Sequence, residues 1–179
     1  DWSIPFIEVS AKSAIITDQE ASKIFYQKNI TEKLPIASLT KIMTAIAIFE
    51  NNNLNETVKI SKTAVSQQGE SGGLVVDEEI TIDSLLKALL IESSNDAAYA
   101  LEEHLNLNGQ NLIELMNKKA ESLELKNTRF SSSSGLKDSD NYSSAHDLAK
   151  IIAYSLNNKY LWEILKMPTA EITSINKSF

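Results

Sequence analysis

The chain has 179 residues, of which 42% are hydrophobic, and this length and composition suit one compact domain and exclude a disordered or fibrous protein. Its formal net charge of −7 disfavours a nucleic-acid partner, because phosphate binding needs a basic surface. The absence of cysteine excludes disulfides, thiolate metal sites and cysteine nucleophiles. No apolar run reaches the roughly 18 residues of a membrane span, and no signal-peptide pattern opens the chain, so any export signal is expected to have been removed.

The first elements are predicted to be two strands and a buried helix. Residues 12–18 and 23–27 are short β-rich runs around a polar turn, which predicts a hairpin. After Pro35, apolar side chains recur at helical spacing and predict a helix buried on nearly all sides: Leu39, Ile42, Met43, Ile46 and Phe49. The asparagines at 51–53 predict its end, because asparagine tolerates the left-handed conformation common there.

A second ribbon and a pair of helices are predicted next. Residues 57–60 and 79–81 are β-like, flank a polar loop and are expected to pair. Thr81 is the predicted N-cap of a helix that carries four leucines and breaks at 92–95. Another helix is expected to begin near Asp96. The resulting turn places serines and an asparagine between two helices.

The last part of the chain is predicted to be helix, loop, helix and an extended tail. Helical patterns cover 110–123 and 144–156, and the serine-rich segment NTRFSSSSGLKDSDNY between them has the composition of a loop. Residues 171–179 look extended. Because two strands alone make a marginal sheet, the layout predicts an α/β domain whose remaining strands follow residue 179.

The pattern Ser-x-x-Lys occurs four times, starting at Ser38, Ser84, Ser134 and Ser174, whereas composition alone gives about two copies. Only Ser38 and Lys41 fall on the first turn of a predicted buried helix, where residues three apart share a face. Ser84 and Lys87 fit the polar face of an amphipathic helix instead. Position therefore singles out the first copy.

The pair Ser38 and Lys41 has a chemical use. A serine hydroxyl attacks only after a base removes its proton, and a lysine is a base only when burial or positive potential lowers its pKa. The start of a helix disfavours a cation, and its backbone N–H groups help to hold an oxyanion. A capping serine beside a lysine that extends to solvent explains the motif equally well.

The pattern Ser-x-Asn also occurs four times, so position again decides its interpretation. The copy formed by Ser93 and Asn95 lies at the predicted break between two helices, 52 residues after Lys41. There a hydroxyl and an amide can point into a cleft. The alternative is a plain turn in which Asp96 starts the next helix.

Together, the segments PIASLTKIMTA, ITIDSLLKALLIESSNDAA, NTRFSSSSGL and NYSSAHDLAKIIAYSL closely resemble the D-alanyl-D-alanine carboxypeptidases of the low-molecular-mass penicillin-binding protein class. The resemblance makes Ser38 the acylated nucleophile and Lys41 its general base. Ser93 matches a serine that relays protons. Asn95 matches an asparagine that binds the substrate amide and orients the lysine.

This resemblance implies a fold and a function for the chain. The fold is α/β (α+β) and β-lactamase/transpeptidase-like, with a helical subdomain and an antiparallel sheet that is incomplete here. One domain is expected over 1–179, with strands in 1–34, mainly helices in 35–160 and a return to the sheet in 161–179. The implied function is that of an exported, extracytoplasmic enzyme without metal or cofactor. Its substrate is the peptidoglycan pentapeptide stem ending in D-Ala-D-Ala, and β-lactams are its covalent inhibitors.

The chain departs from the family pattern at three places. Ser134 stands where histidine is common and His146 where arginine is common, and His146 and His104 are expected to be surface or packing residues. The third motif, a Lys-Thr-Gly triplet, is absent from the sequence, and 177–179 are no convincing substitute. The chain is therefore expected to be the N-terminal part of such an enzyme. A β-lactamase-like hydrolase and a non-catalytic cell-wall-binding module are the alternatives, and self-association through the incomplete sheet is expected.

Overall fold

The computed structural model describes residues 9–136 and 140–176. A short 3-10 turn at Ala37–Leu39 precedes the first helix. The strands and helices are, in chain order, β1 Ala14–Thr17, β2 Ile24–Lys28, α1 Thr40–Asn51, β3 Thr57–Lys59, α2 Lys62–Val65, β4 Glu79–Thr81, α3 Ile82–Ile91, α4 Asn95–Leu107, α5 Leu112–Ser122, α6 Ala145–Ser155 and α7 Lys159–Lys166.

Both predicted strand pairs form, and both are antiparallel. In the first hairpin Ile16 lies opposite Tyr26, and a register shift follows Ile16. Its polar turn is closed by Asp18, whose carboxylate accepts hydrogen bonds from the backbone N–H and the hydroxyl of Ser22. In the second ribbon Val58 lies opposite Ile80, and both are buried against the helices.

Helix α1 is the centre of the helical layer. As its sequence predicts, it is buried on nearly every side, and it packs against α3 and α5. Large aliphatic side chains from α1, α3 and α4 fill the space between these helices, and they include Met43, Ile48, Leu85, Leu86, Leu89 and Leu101. This tightly packed interior fixes where the first turn of α1 projects.

The predicted left-handed end of α1 is wrong, although the helix does end at the predicted residues. Asn52 is extended, with φ −134° and ψ 153°. The last carbonyls are satisfied in another way, because the side-chain amide of Asn51 donates to Ala47 O at 2.8 Å and Asn52 N–H donates to Ile48 O at 3.1 Å. With these carbonyls bonded, the end of the helix needs no left-handed residue.

Side-chain oxygens cap the remaining long helices. Thr81 caps α3 as predicted, because its Oγ1 accepts from Ser84 N–H at 3.2 Å. Ser94 Oγ accepts from Ala97 N–H at 3.0 Å, so α4 begins at Asn95, one residue before the predicted start. Helices α5, α6 and α7 are capped by Asn111, Ser144 and Asn158.

The tail crosses to the small β3–β4 ribbon. Residues 167–176 contain neither helix nor strand, yet Ile175 N–H donates to Glu79 O at 2.8 Å. Asn176 completes the contact, because its side chain bonds Glu79 N–H at 3.0 Å and Asp77 O at 2.8 Å. Residues 177–179, which by sequence are no convincing substitute for the third motif, lie outside the described residues. Within the described ranges, no helix combines the length and the hydropathy that crossing a membrane requires.

Candidate active site

Ser38 lies on the 3-10 turn that leads into α1, rather than on the first α-helical turn that its spacing predicts. The turn begins with a left-handed Ala37, at φ +44°, and closes with a hydrogen bond from Leu39 N–H to Ile36 O at 3.0 Å. The left-handed Ala37 interrupts the helical geometry just before Ser38, and Ser38 is exposed. Its hydroxyl is therefore open to a ligand.

Lys41, on the first turn of α1, is 3% exposed. Its Nζ lies within hydrogen-bond distance of four oxygens: Ser38 Oγ at 3.2 Å, Ser93 Oγ at 3.2 Å, Asn95 Oδ1 at 2.8 Å and Ser134 O at 3.2 Å. An ammonium has only three protons to donate. The Lys41 amine therefore links the Ser38 hydroxyl to the turn after α3, to the first residue of α4 and to the loop that contains Ser134.

Burial is the main influence on the charge of Lys41. Loss of solvation lowers its pKa to about 8, and the carboxylate of Glu70 opposes this shift by favouring the cation. With that pKa, about one lysine in ten is neutral at pH 7. Burial, which the sequence suggested as one of two causes, thus supplies a usable population of free amine.

Ser93 and Asn95 reach Lys41 from the turn between α3 and α4. Ser93 has φ +56°, a left-handed conformation that costs energy for a residue with a side chain. Asn95 is 4% exposed and accepts from Lys41 through Oδ1, while its Nδ2 donates to Gln68 O at 2.8 Å. Because a cation lies on one side and a carbonyl on the other, only this orientation of the amide satisfies both neighbours.

The backbone carbonyl of Ser134 is a site group that the sequence interpretation missed. A carbonyl is present at every residue, so no residue type marks it. The available signal was Gly135, at φ +86°, where a Cβ would lie 2.0 Å from Ala37 O. The loop at 131–136 approaches the Ser38 turn so closely that only glycine fits.

Buried polar side chains hold that loop against α1. Thr44 Oγ1, on α1, donates to Ser133 O at 2.7 Å. Asn141 accepts from Ser131 N–H at 2.6 Å and donates from Nδ2 to Thr40 Oγ1 at 3.1 Å. These bonds fix the loop, and with it the Ser134 carbonyl, from both sides.

Asp96 holds the loop at 67–74 in place in a similar way, through hydrogen bonds. It is 1% exposed and accepts from Gly72 N–H at 2.9 Å, from Ser71 Oγ at 2.7 Å and from Ser94 Oγ. Burial by itself raises the pKa of this carboxyl, but the hydrogen bonds outweigh it and lower the pKa below its ordinary value. Asp96, which the sequence suggests as the start of a helix, therefore also anchors the loop at 67–74.

The other residues named by pattern lie outside this cluster. Ser84 bonds its cap Thr81, and Lys87 pairs with Asp83 at 2.7 Å on α3. His104 lies 3.5 Å from Glu56, and His146 lies 3.5 Å from the carboxylate of the next residue. In the part of the chain that the structure describes, no group of three or more His, Cys, Asp or Glu side chains is placed to hold a metal ion.

A family model for D-alanyl-D-alanine carboxypeptidase (peptidase S11) matches residues 3–178. The chain belongs to this family. The resemblance inferred from the motifs is thereby confirmed, and the mixed fold of helices with small antiparallel sheets agrees with it. Two curated relatives, one named a carboxypeptidase and one an endopeptidase, illustrate the relationship.

The chain is 39% identical over 144 residues to D-alanyl-D-alanine carboxypeptidase DacF of Bacillus subtilis, a match that covers 78% of the chain and 37% of that protein. It is 38% identical over 149 residues to a D-alanyl-D-alanine endopeptidase of Haemophilus influenzae, with 82% and 51% covered. The chain therefore spans about half or less of the length of these relatives.

Solved structures of this class share the fold. The D-alanyl-D-alanine carboxypeptidase DacD of Francisella tularensis matches with TM-score 0.80 and 28% identity, over 89% of this chain and 40% of that one. The Streptomyces K15 DD-transpeptidase matches with TM-score 0.83 and 27% identity, over 95% and 73%. The expected penicillin-binding, transpeptidase-like fold is confirmed.

Replacement of Asp96 by Asn is expected to reduce stability in a pH-dependent manner. The folded-state pKa is below the unfolded value of about 3.9, so the carboxylate stabilises the fold above that value and loses its effect as the pH falls through the folded pKa. The free energy of unfolding, measured by urea titration from pH 7 to pH 3, should show a difference between the two proteins that is constant above about pH 5 and shrinks below about pH 4. A difference that grows in acid would contradict this role.

Proposed function

We propose that the protein is a serine-type D-alanyl-D-alanine carboxypeptidase that cleaves the terminal D-alanine from peptidoglycan stem peptides through an acyl-enzyme. The observation that carries the proposal is the contact of Lys41 Nζ with Ser38 Oγ, Ser93 Oγ and Asn95 Oδ1 around a solvent-open hydroxyl. Family membership supports the same chemistry. In this proposal Ser38, Lys41 and Ser93 are catalytic and Asn95 binds substrate.

The proposed acylation begins when neutral Lys41 takes the proton of Ser38 Oγ. The oxygen then attacks the carbonyl carbon of the penultimate D-alanine. As the tetrahedral intermediate collapses, Ser93 passes a proton from Lys41 to the leaving nitrogen, the C–N bond breaks and D-alanine departs. Water then hydrolyses the ester and restores the hydroxyl of Ser38.

Backbone donors at the start of α1 contribute less to this reaction than the sequence suggests. Leu39 N–H already donates to Ile36 O, and Thr40 N–H donates to Ala37 O and Ser38 O. We therefore assign the oxyanion to the amide of Ser38 and to a second donor outside the described residues. One oxyanion donor is worth about 2.7–4 kcal/mol in the transition state.

The asparagine has two tasks in the proposal. Its Oδ1 holds Lys41 in line with Ser38, and one Nδ2 hydrogen is committed to Gln68 O. An amide nitrogen carries two hydrogens, so we assign the second one to a carbonyl oxygen of the bound stem peptide. This assignment places the peptide between the 67–74 loop and Ser38.

We also propose that the chain is the N-terminal part of a longer, extracytoplasmic enzyme, with the expected segments 1–34, 35–160 and 161–179. Helix α7 extends the helical part into the last of these segments, as far as Lys166. The partial coverage of both curated relatives and the missing Lys-Thr-Gly triplet support this extent. Sequencing the gene beyond Phe179 tests it, and an immediate stop codon would contradict it. The family match does not favour the β-lactamase-like alternative. A carboxypeptidase of this class is expected to keep its penicillin acyl-enzyme, whereas a β-lactamase would hydrolyse it quickly.

Self-association of the isolated 179 residues is expected through the first hairpin. Ile16 is 53% exposed and Phe25 is 60% exposed on its two strands, and among the described residues neither strand pairs with a third one. Apolar strands with unpaired edges favour pairing with another chain. Sedimentation velocity at rising concentration should show dimers or larger species, and Phe25→Lys should reduce them. A monomer at every concentration would contradict this expectation.

Ser38→Ala in the full-length protein is expected to abolish covalent labelling by a fluorescent penicillin. No other described serine combines an exposed hydroxyl with a buried lysine amine at hydrogen-bond distance. Ser84→Ala is the matched control, because it alters another Ser-x-x-Lys serine and should label normally. Labelling that survives in Ser38→Ala would refute the assignment of the nucleophile.

Lys41→Arg is expected to slow acylation by at least about a hundredfold, because a guanidinium stays protonated and cannot accept the proton of Ser38. Stopped-flow acylation by penicillin measures this rate. Lys87→Arg, which changes the lysine of the second motif copy, should acylate at the normal rate. Normal kinetics in Lys41→Arg would remove this lysine from the mechanism.

A further inference from the structure

The loop at 67–74 places an acidic side chain beside the proposed substrate groove. Asn95 N–H donates to Glu70 O at 2.8 Å, so the main chain of Glu70 is tied directly to a site residue. The side chain of Glu70 is exposed. Because the main chain of Glu70 is held and its side chain is exposed, the carboxylate is available to a ligand that binds against Asn95.

The same loop has little freedom to carry Glu70 away from the site. Gly69 has φ +87°, and a Cβ at this residue would lie 2.6 Å from Asn95 Nδ2, so the backbone lies flat on the asparagine. On the following side, Asp96 binds Ser71 Oγ at 2.7 Å and Gly72 N–H at 2.9 Å. The residue before Glu70 therefore packs against Asn95, and the two residues after it are bonded to Asp96.

The main chain of Glu70 lies next to the reacting groups, because its carbonyl oxygen is 2.8 Å from Asn95 N and Asn95 Oδ1 is 2.8 Å from Lys41 Nζ. Glu70 favours the charged form of Lys41 and thereby raises its pKa against the effect of burial. A stem peptide whose carbonyl accepts from Asn95 Nδ2, as proposed above, would place a neighbouring residue beside Glu70.

We propose that Glu70 is a specificity-determining residue that favours stem peptides whose residue before D-Ala-D-Ala carries a free side-chain amine. The inference rests on the proposed carboxypeptidase function and names the preferred class of substrate. An ammonium group on that residue is the complementary charge to the carboxylate. An acetylated amine of the same length keeps the shape and removes the charge.

The test compares two peptides in the full-length protein: Nα-acetyl-L-lysyl-D-alanyl-D-alanine with a free ε-amine, and its Nε-acetylated form. An exposed ion pair contributes about 0.2–1 kcal/mol, so the free amine should raise kcat/KM for D-alanine release by up to about fivefold at low salt. Glu70→Gln should bring the ratio close to one, and Glu70→Asp should keep part of the preference. About 0.5 M salt should reduce the ratio in the wild type.

Glu121→Gln is the matched control, because it removes the same charge from an exposed position on α5 and should keep the wild-type ratio. A wild-type ratio of one, or a ratio that survives in Glu70→Gln, would overturn the inference. Equal changes with both peptides in Glu70→Gln would also overturn it, because they would show that Glu70 acts only through Lys41. Failure of the proposed function looks different: neither peptide is hydrolysed and penicillin does not label Ser38.

Discussion

The burial of one amine is the constraint on which the rest of the site depends. A lysine that is 3% exposed is costly as a cation unless oxygens surround it, and here four oxygens do. A pKa near 8 instead of about 10.4 corresponds to roughly 3 kcal/mol in favour of the neutral form. Because the unfolded chain binds the proton more tightly, this group lowers stability at neutral pH, and the penalty disappears as the pH rises from about 8 toward 10.4.

Two anchored loops make the arrangement around Lys41 precise. The loop at 131–136 supplies the Ser134 carbonyl and is held by Thr44 and Asn141. The loop at 67–74 holds Asn95 through two carbonyls and is held in turn by Asp96. A site built on such supports keeps its geometry without a ligand, which favours catalysis by orientation. The same bonds hold the main chain of Glu70 beside Asn95.

The sequence predicted most of the helices and both strand pairs because local signals agree with the fold. Apolar spacing marked α1, and Thr81 marked the start of α3. The motif residues Ser38, Lys41, Ser93 and Asn95 were predicted from position and resemblance, and the structure brings all four together. Their roles in the reaction remain a proposal for experiment.

The missed features depend on contacts between distant parts of the chain. The Ser134 carbonyl has no residue-type signal, and the need for Gly135 appears only when the loop meets Ala37. The 3-10 turn beneath Ser38 replaces the expected helical turn because Ala37 is left-handed. The extended Asn52 follows from side-chain bonds that satisfy the helix end. Asp96 looked like a helix start, and its function as a loop anchor required Ser71 and Gly72 to arrive from another element.

The most direct test of this account is the titration of the Lys41 side chain by NMR, with ¹³Cε-labelled lysine and Lys41→Arg to assign the signal. Burial among four oxygens should give a pKa of about 8, well below the ordinary lysine value of about 10.4. Lys119, whose pKa is raised by hydrogen bonds to Glu50 and Tyr154 that outweigh its burial, provides an internal contrast in the same spectrum. A Lys41 that titrates near 10.4 would show that the amine is solvated, and the proposed role of Lys41 as the base for Ser38 would be wrong.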